Sequence, residues 1–186
     1  MRVIKRNMRV ITRDILTNEK VTAFYHAFAS GCDSLLDLGC CEGSHTKYFQ
    51  IPNKLFVDVK RESSTLDPFL KADIRYADKL FTPKSYDLVV AIDVIEHLRK
   101  DEGYKLLQEM EKIARRRVLI FSPQGDYMVG QCQEGQSSYD AHWSGWTAEE
   151  FDAMGYFVIL CPDFHPTLGI GAFWAWKILD VQEINF

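Results

Sequence analysis

The segment from Ser34 to Gly43 constrains the fold of this chain most, because an apolar run there ends in an acid and spaced glycines. The run Ser34-Leu35-Leu36-Asp37-Leu38 is typical of a buried strand, and Gly39 and Gly43 permit a tight turn after it. The amides that open the following helix would present a partly positive surface to a bound molecule. The pattern therefore predicts a strand that turns beneath a nucleotide-like ligand.

The next strand strengthens this interpretation. Lys54 to Val59 is a second apolar run, and Asp58 lies about twenty residues beyond Asp37, as expected for one β-α-β unit. A carboxylate at this strand end is placed to accept hydrogen bonds from both hydroxyls of a ribose, although a loop-capping role for Asp58 stays open. Cys41 is the departure, since it stands where a dinucleotide-type Gly-x-Gly-x-x-Gly turn has another glycine.

Size, charge and cysteine usage exclude several classes of protein. The 186 residues, 47% of them hydrophobic, can form one compact domain without disulfides. A net charge of −4 gives no overall basic field for nucleic acid, which favours a small-molecule or protein substrate. An odd number of cysteines without a Cys-x-x-Cys pair predicts a reducing, cytoplasmic setting; they are Cys32, Cys40, Cys41, Cys132 and Cys161.

Residues 1–14 form a short tandem repeat with five basic residues, which predicts a solvated basic arm before a domain over 15–186. Neither a signal peptide nor a membrane-spanning segment is expected, because no apolar stretch is long enough. Apolar residues at helical spacing from Ile15 to Phe28 then predict an amphipathic helix that ends near Gly31. The sequence leaves the oligomeric state open.

Four segments in this order resemble those of the class I S-adenosylmethionine-dependent methyltransferases, especially the small type 11 group, from about Leu35 to Lys177. They are Leu36–Gly43, Val57–Val59, Lys71–Ile74 and Tyr86–Leu98. The resemblance implies an α/β fold: a single Rossmann-like, doubly wound domain whose mostly parallel sheet has seven strands, with an antiparallel final strand and helices on both faces. It also implies transfer of a methyl group, to oxygen or nitrogen of a small-molecule acceptor.

The resemblance implies S-adenosylmethionine as the cofactor, with Asp58 at the ribose and Asp73 near the adenine amino group. A surface-loop role for Asp73 is the alternative. The helix that carries Tyr25 lids the cofactor cleft in this family, which makes Tyr25 a candidate wall of the site, with core packing as the alternative. The cofactor-binding residues implied are Asp37, Gly39, Cys40, Cys41, Gly43, Asp58, Val59, Asp73, Ile74, Ile92 and Asp93.

The segment from Ser122 to Trp146 is polar, bears glycine and lacks periodicity, which is typical of a long functional loop. We expect substrate specificity to lie there. Because a sulfonium methyl is already electrophilic, the protein must mainly hold the acceptor in line with it, and a hydroxyl acceptor benefits from a general base. The candidate bases are His97 and His142, with a structural hydrogen-bonding role as the alternative for either histidine. The candidate substrate contacts are Tyr25, Tyr139, His142, Trp143 and Trp146.

Asp93-x-x-Glu96-His97, together with His142, resembles the Glu-x-x-Glu-His motif and distant His that hold a divalent ion in small-RNA 3′-terminal 2′-O-methyltransferases. Here aspartate replaces the first glutamate, and the same pattern simply begins a helix in metal-independent relatives. We therefore expect no metal, and the acidic composition and small size lead us to expect no RNA substrate; a metal-dependent RNA 2′-O-methyltransferase, with Asp93, Glu96, His97 and His142 as ligands, is kept as an alternative. Two other classes stay open: a noncatalytic cofactor-binding or interaction module, and an NAD-dependent oxidoreductase that would use the same first β-α-β unit.

Overall fold

A computed structural model describes residues 8–13, 17–60, 66–131 and 137–180. Some of the sequence expectations lie outside these residues: the first repeat and the end of the second, Ile15 of the predicted amphipathic helix, and Cys132 with the rest of 132–136 in the predicted substrate loop. Residues 61–65 and 181–186 also lie outside.

Strands and helices alternate along most of the chain. The strands are β1 (Met8–Val10), β2 (Ser34–Leu38), β3 (Asn53–Asp58), β4 (Phe69–Lys71), β5 (Tyr86–Ile92), β6 (Ala114–Pro123), β7 (Phe157–His165) and β8 (Ile170–Ile178). The α-helices are α1 (Asn18–Ala29), α2 (Ala77–Leu80), α3 (Lys100–Ile113) and α4 (Ala148–Ala153). Single 3₁₀ turns that lie wholly within the described residues are found at Thr46–Tyr48, Ile74–Tyr76 and Ile95–His97.

The strands form one sheet in the order β1-β7-β8-β6-β5-β2-β3-β4, in which only β8 runs antiparallel to its neighbours. This confirms the predicted α/β class, the mostly parallel sheet and the antiparallel final strand. The predicted number of seven strands is wrong, because β1 makes an eighth. Met8 pairs with Val158 of β7, and the Ile11 amide donates to the Leu160 carbonyl at 2.8 Å. Part of the predicted solvated arm is therefore an edge strand.

The sheet is buried on both faces, so its central strands are apolar throughout, as parallel strands covered by helices require. Leu36, Val89 and Ile120 point to the face covered by α3 and α4, where they join Met110 and Phe151 in one core cluster. The residues that alternate with them form a second cluster beneath α1; Leu35, Val90, Leu119, Tyr25 and Phe28 belong to it. Helices on both faces are thus confirmed.

Helix ends follow local chemistry. α4 begins with a capping box, since the Glu150 amide donates to Thr147 Oγ1 at 3.2 Å and the Thr147 amide donates to Glu150 Oε2 at 2.9 Å. Between β2 and β3, by contrast, only the 3₁₀ turn Thr46–Tyr48 forms. Among the described residues, no helix combines the length and apolarity needed to cross a bilayer.

Candidate functional site

A cavity of about 690 Å³ opens at the carboxyl ends of β2, β3 and β5. In the sheet, β2 lies between β3 and β5. The chain continues from β2 to β3 and from β5 to β6, in opposite directions across the sheet, so the cavity sits at the switch point where α/β sheets bind ligands. Its volume is in the range of small-molecule sites. Its walls come from four loops and its roof from the loop after β6; the lining residues are Gly39, Cys41, Glu42, Asp58, Val59, Lys60, Ala72, Asp73, Ile74, Arg75, Asp93, Val94, His97, Leu98, Arg99, Glu102, Ser138, Tyr139, Asp140 and Trp143.

The turn after β2 is fastened to β3 and tolerates no side chain at its first glycine. The amides of Gly39 and Cys40 both donate to the Val57 carbonyl, at 2.8 and 3.0 Å. Gly39 has φ +77°, and a Cβ there would lie 2.6 Å from a Val94 methyl group. Gly39 is therefore required by both its conformation and the close approach of Val94.

Cys41 also lies in the left-handed region, at φ 47°, although it is not glycine. Its amide donates to Asp58 Oδ2 at 2.9 Å, and the Lys60 amide donates to Asp58 Oδ1 at 2.9 Å. These two bonds fix the carboxylate at the end of β3, while each oxygen keeps a lone pair for a ligand hydroxyl. The Cys41 conformation thus serves to orient Asp58.

Asp37 lies beneath the turn and not in the cavity lining. It is 2% exposed, accepts a hydrogen bond from the Thr46 hydroxyl, and burial raises its pKa to about 7. Seven of the predicted cofactor residues line the cavity: Gly39, Cys41, Asp58, Val59, Asp73, Ile74 and Asp93. Four do not line it: Asp37, Cys40, Gly43 and Ile92.

Asp73 is held by an arginine that the sequence did not single out. It caps the Ile74–Tyr76 turn through the Arg75 amide at 3.0 Å, and its Oδ2 lies 2.6 Å from Arg75 Nη2. These hydrogen bonds lower the pKa of Asp73. Arg75 also reaches Glu102 Oε1 at 3.4 Å, which joins this wall of the cavity to α3.

Asp93, at the end of β5, is a second non-glycine residue in the left-handed region, at φ 53°. Its amide donates to the Phe121 carbonyl at 3.0 Å, and its Oδ2 lies 3.7 Å from His45 Nε2. Partial desolvation of the carboxyl group in the cleft raises its pKa, although 45% of the side chain is exposed to solvent. Such backbone strain clusters at functional sites, which agrees with the position of Asp93 in the cavity.

Three of the four candidate metal ligands come together. One ligand atom each from Glu96, His97 and His142 lies within 4.8 Å of the others, whereas Asp93 is outside this group. Glu96 is 3% exposed and its Oε2 accepts a hydrogen bond from the Ser122 hydroxyl at 3.0 Å. Burial, and then the charge of Asp93, raises the pKa of Glu96. The two imidazoles meet edge to face, with ring centroids 4.7 Å apart.

Backbone carbonyls fix the tautomers of both histidines. His97 Nδ1 lies 3.2 Å from the Ala141 carbonyl oxygen, and His142 Nδ1 lies 2.7 Å from that of Tyr127. A carbonyl can only accept, so Nδ1 carries the proton and Nε2 keeps its lone pair in each neutral ring. Burial lowers the pKa of His97, which favours this neutral form. His97 lines the cavity, and His142 lies behind it.

The predicted substrate residues divide into two groups. Tyr139 and Trp143 line the cavity and are about half exposed, at 45% and 46%. Tyr25 and Trp146 are core residues, which corrects their expected place at the pocket wall. The Tyr25 hydroxyl accepts from Trp174 Nε1 at 3.2 Å. Trp146 is fully buried, and its Nε1 donates to Ser144 Oγ at 2.8 Å.

Sequence reasoning missed the cations around the cavity. Lys60 forms an ion pair with Asp140, so the end of β3 contacts the loop after β6 across the opening. Arg75 and Arg99 lie near the rings of Tyr139 and Trp143, with guanidinium-to-centroid distances of 6.0 and 5.9 Å. No local sequence pattern marks these cations, because the partners named here, Asp140, Tyr139 and Trp143, are distant from them in the chain.

Residues 36–121 match the family model described as a methyltransferase domain. No curated protein matches the chain. The methyltransferase domain of bacterial CtHen1 is 20% identical at a TM-score of 0.55, over 87% of this chain and 96% of that one. An S-adenosylmethionine-dependent methyltransferase from Archaeoglobus fulgidus is 16% identical at a TM-score of 0.56, over 87% and 95%.

A third similar structure is 1,6-didemethyltoxoflavin-N1-methyltransferase of Burkholderia thailandensis, solved with S-adenosylhomocysteine; it is 17% identical at a TM-score of 0.58, over 89% of this chain and 81% of that one. At these identities the likeness establishes the shared fold. The family match covers β2 through most of β6, which are the elements around the cavity. Residues 36–121 therefore match the methyltransferase-domain family, and the chain as a whole has the fold of solved S-adenosylmethionine-dependent methyltransferases.

Proposed function

We propose that the enzyme methylates oxygen or nitrogen of a small molecule, with His97 as the general base. The observation that carries this proposal is the His97 ring at the cavity wall, neutral and with its Nδ1 proton held by the Ala141 carbonyl. Its Nε2 lone pair is then available to a proton on the acceptor. The nearby cofactor supplies the methyl group as an electrophilic sulfonium.

The cofactor pose follows from the walls of the cavity. We propose that Asp58 accepts the ribose hydroxyls, because backbone amides already orient its carboxylate. Asp73 and Ile74 would border the adenine, and the turn at Gly39 and Cys41 would face the methionine end. Acceptor specificity would then depend on the loop residues after β6 that line the cavity, which are Ser138, Tyr139, Asp140 and Trp143.

In this mechanism the cavity walls hold the acceptor in line with the sulfur–methyl bond and exclude water. The acceptor's O–H or N–H proton passes to His97 Nε2 as the new bond to the methyl carbon forms, and the carbon–sulfur bond breaks with its electron pair left on sulfur. An amine that arrives unprotonated has less need of the base, so loss of His97 would reduce turnover more for a hydroxyl acceptor.

Calorimetry with S-adenosylhomocysteine and with NADH tests the cofactor assignment. We expect S-adenosylhomocysteine alone to bind, and Asp58→Ala to weaken it about 10-fold or more, because two hydroxyl contacts are lost. Asp101→Ala, on the exposed start of α3, is the matched control. Tighter binding of NADH, or no binding of S-adenosylhomocysteine at millimolar concentration, would show the proposal to be wrong.

Transfer of labelled methyl groups into small-molecule extracts tests turnover. We expect wild-type enzyme to label a low-mass product and His97→Asn to label it at least about 10-fold more slowly, with cofactor affinity retained. Cofactor binding without any labelled product would favour the noncatalytic alternative.

A cytoplasmic location is also part of the proposal. It agrees with the absence of a disulfide at the four described cysteines, which are Cys32, Cys40, Cys41 and Cys161.

A metal-assisted reaction is the second candidate, and the grouping of Glu96, His97 and His142 is the observation that favours it. One carboxylate and two imidazoles suit a divalent ion such as Zn²⁺ or Mn²⁺, and imidazoles fixed by carbonyls through Nδ1 are typical of metal-ligating histidines. A bound ion would lower the pKa of an acceptor hydroxyl. The similar structures include a small RNA methyltransferase, HEN1, so RNA is an acceptor to test.

Metal dependence separates the two candidates. If the base mechanism holds, EDTA leaves turnover intact and Zn²⁺ or Mn²⁺ does not change the melting temperature. If the ion is required, EDTA abolishes turnover, added metal restores it, and His142→Ala removes the metal-dependent rise in melting temperature. Labelling of a single-stranded RNA oligonucleotide in parallel with the small-molecule extract identifies the acceptor class.

A further inference from the structure

We infer that Arg99 and Trp143 form a subsite for an acceptor that carries an acid group on a planar ring. The inference rests on the proposed function and narrows its substrate class. Both residues line the cavity, and the Arg99 guanidinium lies 5.9 Å from the centroid of the Trp143 ring. The pair thus presents a cation and an aromatic face to the same space.

The charge of Arg99 is the first part of the argument. Three cations line the cavity, and two are engaged: Lys60 with Asp140, and Arg75 with both Asp73 and Glu102. Arg99 forms no ion pair with a carboxylate in the described part of the chain, and it is exposed. A guanidinium without a carboxylate partner favours an anion. In the proposed cofactor pose the methionine end, with its carboxylate, faces Gly39 and Cys41, so the anion that Arg99 would meet belongs to the acceptor.

The backbone of Arg99 is fixed although its guanidinium is free of carboxylates. Its amide donates to Glu102 Oε2 at 3.0 Å, where it precedes the first residue of α3. This bond sets the direction in which the side chain leaves the helix. The planar guanidinium at the end of this side chain can give two parallel hydrogen bonds to a carboxylate or a phosphate, which a lysine cannot match.

The Trp143 ring is the second part. Its Nε1 donates to the Ser138 carbonyl at 3.0 Å, and its amide donates to the Glu96 carbonyl at 2.8 Å. The indole is therefore held in position, yet 46% of the residue is exposed. A fixed, half-exposed indole offers its face to a planar ring, and stacked aromatic pairs are favourable beyond the area that they bury. A planar ring stacked on the indole would place its acid group at Arg99.

Binding of three naphthalene probes to the complex with S-adenosylhomocysteine tests the inference. The probes share one ring and differ in the head group: 2-naphthoate, 2-naphthyl phosphate and the neutral 2-naphthamide. We expect at least one acid to bind about 10-fold more tightly than the amide, since only the charged head groups can form charge-assisted hydrogen bonds with the guanidinium. The tighter acid identifies carboxylate or phosphate as the source of the charge.

Substitutions at Arg99 and Trp143 separate the contribution of the charge from that of the ring. Arg99→Gln should abolish the preference for the acids while the affinity for S-adenosylhomocysteine changes less than about 2-fold. Trp143→Leu should weaken all three probes, and Trp143→Phe should retain most of the binding, because the stacking face remains. Lys112→Gln, at the far end of α3 from the cavity, is the control for loss of one positive charge.

The outcomes that overturn the inference are distinct from failure of the proposed function. The inference is wrong if S-adenosylhomocysteine binds but the amide binds as tightly as the acids, or if no probe binds at millimolar concentration. It is also wrong if Arg99→Gln weakens S-adenosylhomocysteine as much as the acids, because Arg99 would then contact the cofactor. Failure of the proposed function appears earlier, as absence of S-adenosylhomocysteine binding.

Discussion

At the scale of single residues, Cys41 combines a strained backbone with a position in the cavity. Its φ of 47° is unfavourable for a residue with a Cβ by about 1–2 kcal/mol, and its amide must point at Asp58 for that carboxylate to be oriented. The dinucleotide-type Gly-x-Gly-x-x-Gly turn has glycine at this position. The strain therefore comes with the side chain, while the hydrogen bond to Asp58 depends only on the backbone.

Cys41→Gly should raise the free energy of unfolding by about 0.5 kcal/mol, because relief of the left-handed strain exceeds the entropy cost of glycine in the unfolded chain. Urea denaturation measures the change. Cys41→Ala is the matched control, since it removes the thiol and keeps the Cβ, and we expect no gain from it. Equal stabilisation by alanine would mean that the thiol, and not the backbone, is the source of the strain.

Acids at strand ends could be predicted from the sequence, whereas the partners of these acids could not. Asp58 and Asp73 follow apolar runs at fixed places in the chain, so local pattern and family resemblance predict them at the cavity. Arg75 and Lys60 have no such pattern. Their roles depend on Glu102 and Asp140, which only the folded chain brings within reach. Local pattern likewise does not show that Tyr25 and Trp146 are buried, because their burial depends on tertiary packing.

At the scale of elements, the loop after β6 is bound tightly at its base and lightly at its tip. At the base, the Trp143 and Ser144 amides donate to the Glu96 carbonyl at 2.8 and 3.1 Å. At the tip, Asp140 contacts the opposite wall through the ion pair with Lys60, whose side chains are 39% and 37% exposed. An exposed pair contributes about 0–1 kcal/mol to stability, so its main effect is on the position of the tip.

Asp140→Ala and Lys60→Ala should each speed dissociation of S-adenosylhomocysteine several-fold and shift the melting temperature by less than about 4 °C. Stopped-flow displacement measures the rate. The double variant Lys60→Asp/Asp140→Lys exchanges the two charges and should restore slow dissociation. If Lys60 instead contacted the cofactor directly, dissociation would stay fast in the double variant.

Lys105→Ala is the control, because it breaks the ion pair with Asp78 outside the cavity. An unchanged dissociation rate in Asp140→Ala would contradict the prediction.

Helix starts were easier to predict than helix ends. Thr147 and Glu150 form their capping box within four residues, so the sequence alone predicts α4. The arginines 115–117 have the composition of a helix end, but they belong to β6. Arg116 Nη1 donates to the Gly31 carbonyl at 2.7 Å and Arg117 Nη1 to that of Ser30 at 2.8 Å. These partners at the end of α1 are more than eighty residues away, beyond the reach of a local pattern.

At the scale of the whole molecule, a polar network joins three strands at the end of the sheet opposite the cavity. Asp87 of β5 accepts from Arg115 Nε of β6 at 2.7 Å and from the Asp33 amide before β2 at 2.9 Å. Burial alone would raise the pKa of Asp87, but these bonds and those from Ser34 outweigh it and hold the pKa at about 2. The charged form of Asp87 therefore stabilises the sheet.

Asp87→Asn should lower the free energy of unfolding by about 2 kcal/mol at pH 7. Because the folded pKa is depressed, this stabilisation is present above the ordinary aspartate pKa and is lost as pH falls towards 2. The difference between wild type and variant should therefore shrink with acidification, which urea denaturation from neutral pH to about pH 3 measures. A difference independent of pH would contradict the prediction. Affinity for S-adenosylhomocysteine should not change, since the cavity lies at the other end of the strands.

The overall architecture was largely predictable, because buried parallel strands are continuous apolar runs and the order of the motifs resembles a known family. β1 was not, since three residues are too few to show a period, and Val10 remains 60% exposed even in the sheet. Only the pairing with β7, about 150 residues later, makes a strand of Met8–Val10. The eighth strand is thus a product of tertiary structure.

This short strand has a consequence for how copies of the molecule meet. Without β1, the nine-residue strand β7 would present a long row of unpaired amides and carbonyls at one edge of the sheet. β1 and β4, the two outermost strands, each have three residues. Such short edges offer little template for a strand of another chain, which is a common protection against aggregation. We therefore expect β1 to hinder edge-to-edge association where it covers Val158 to Leu160 of β7.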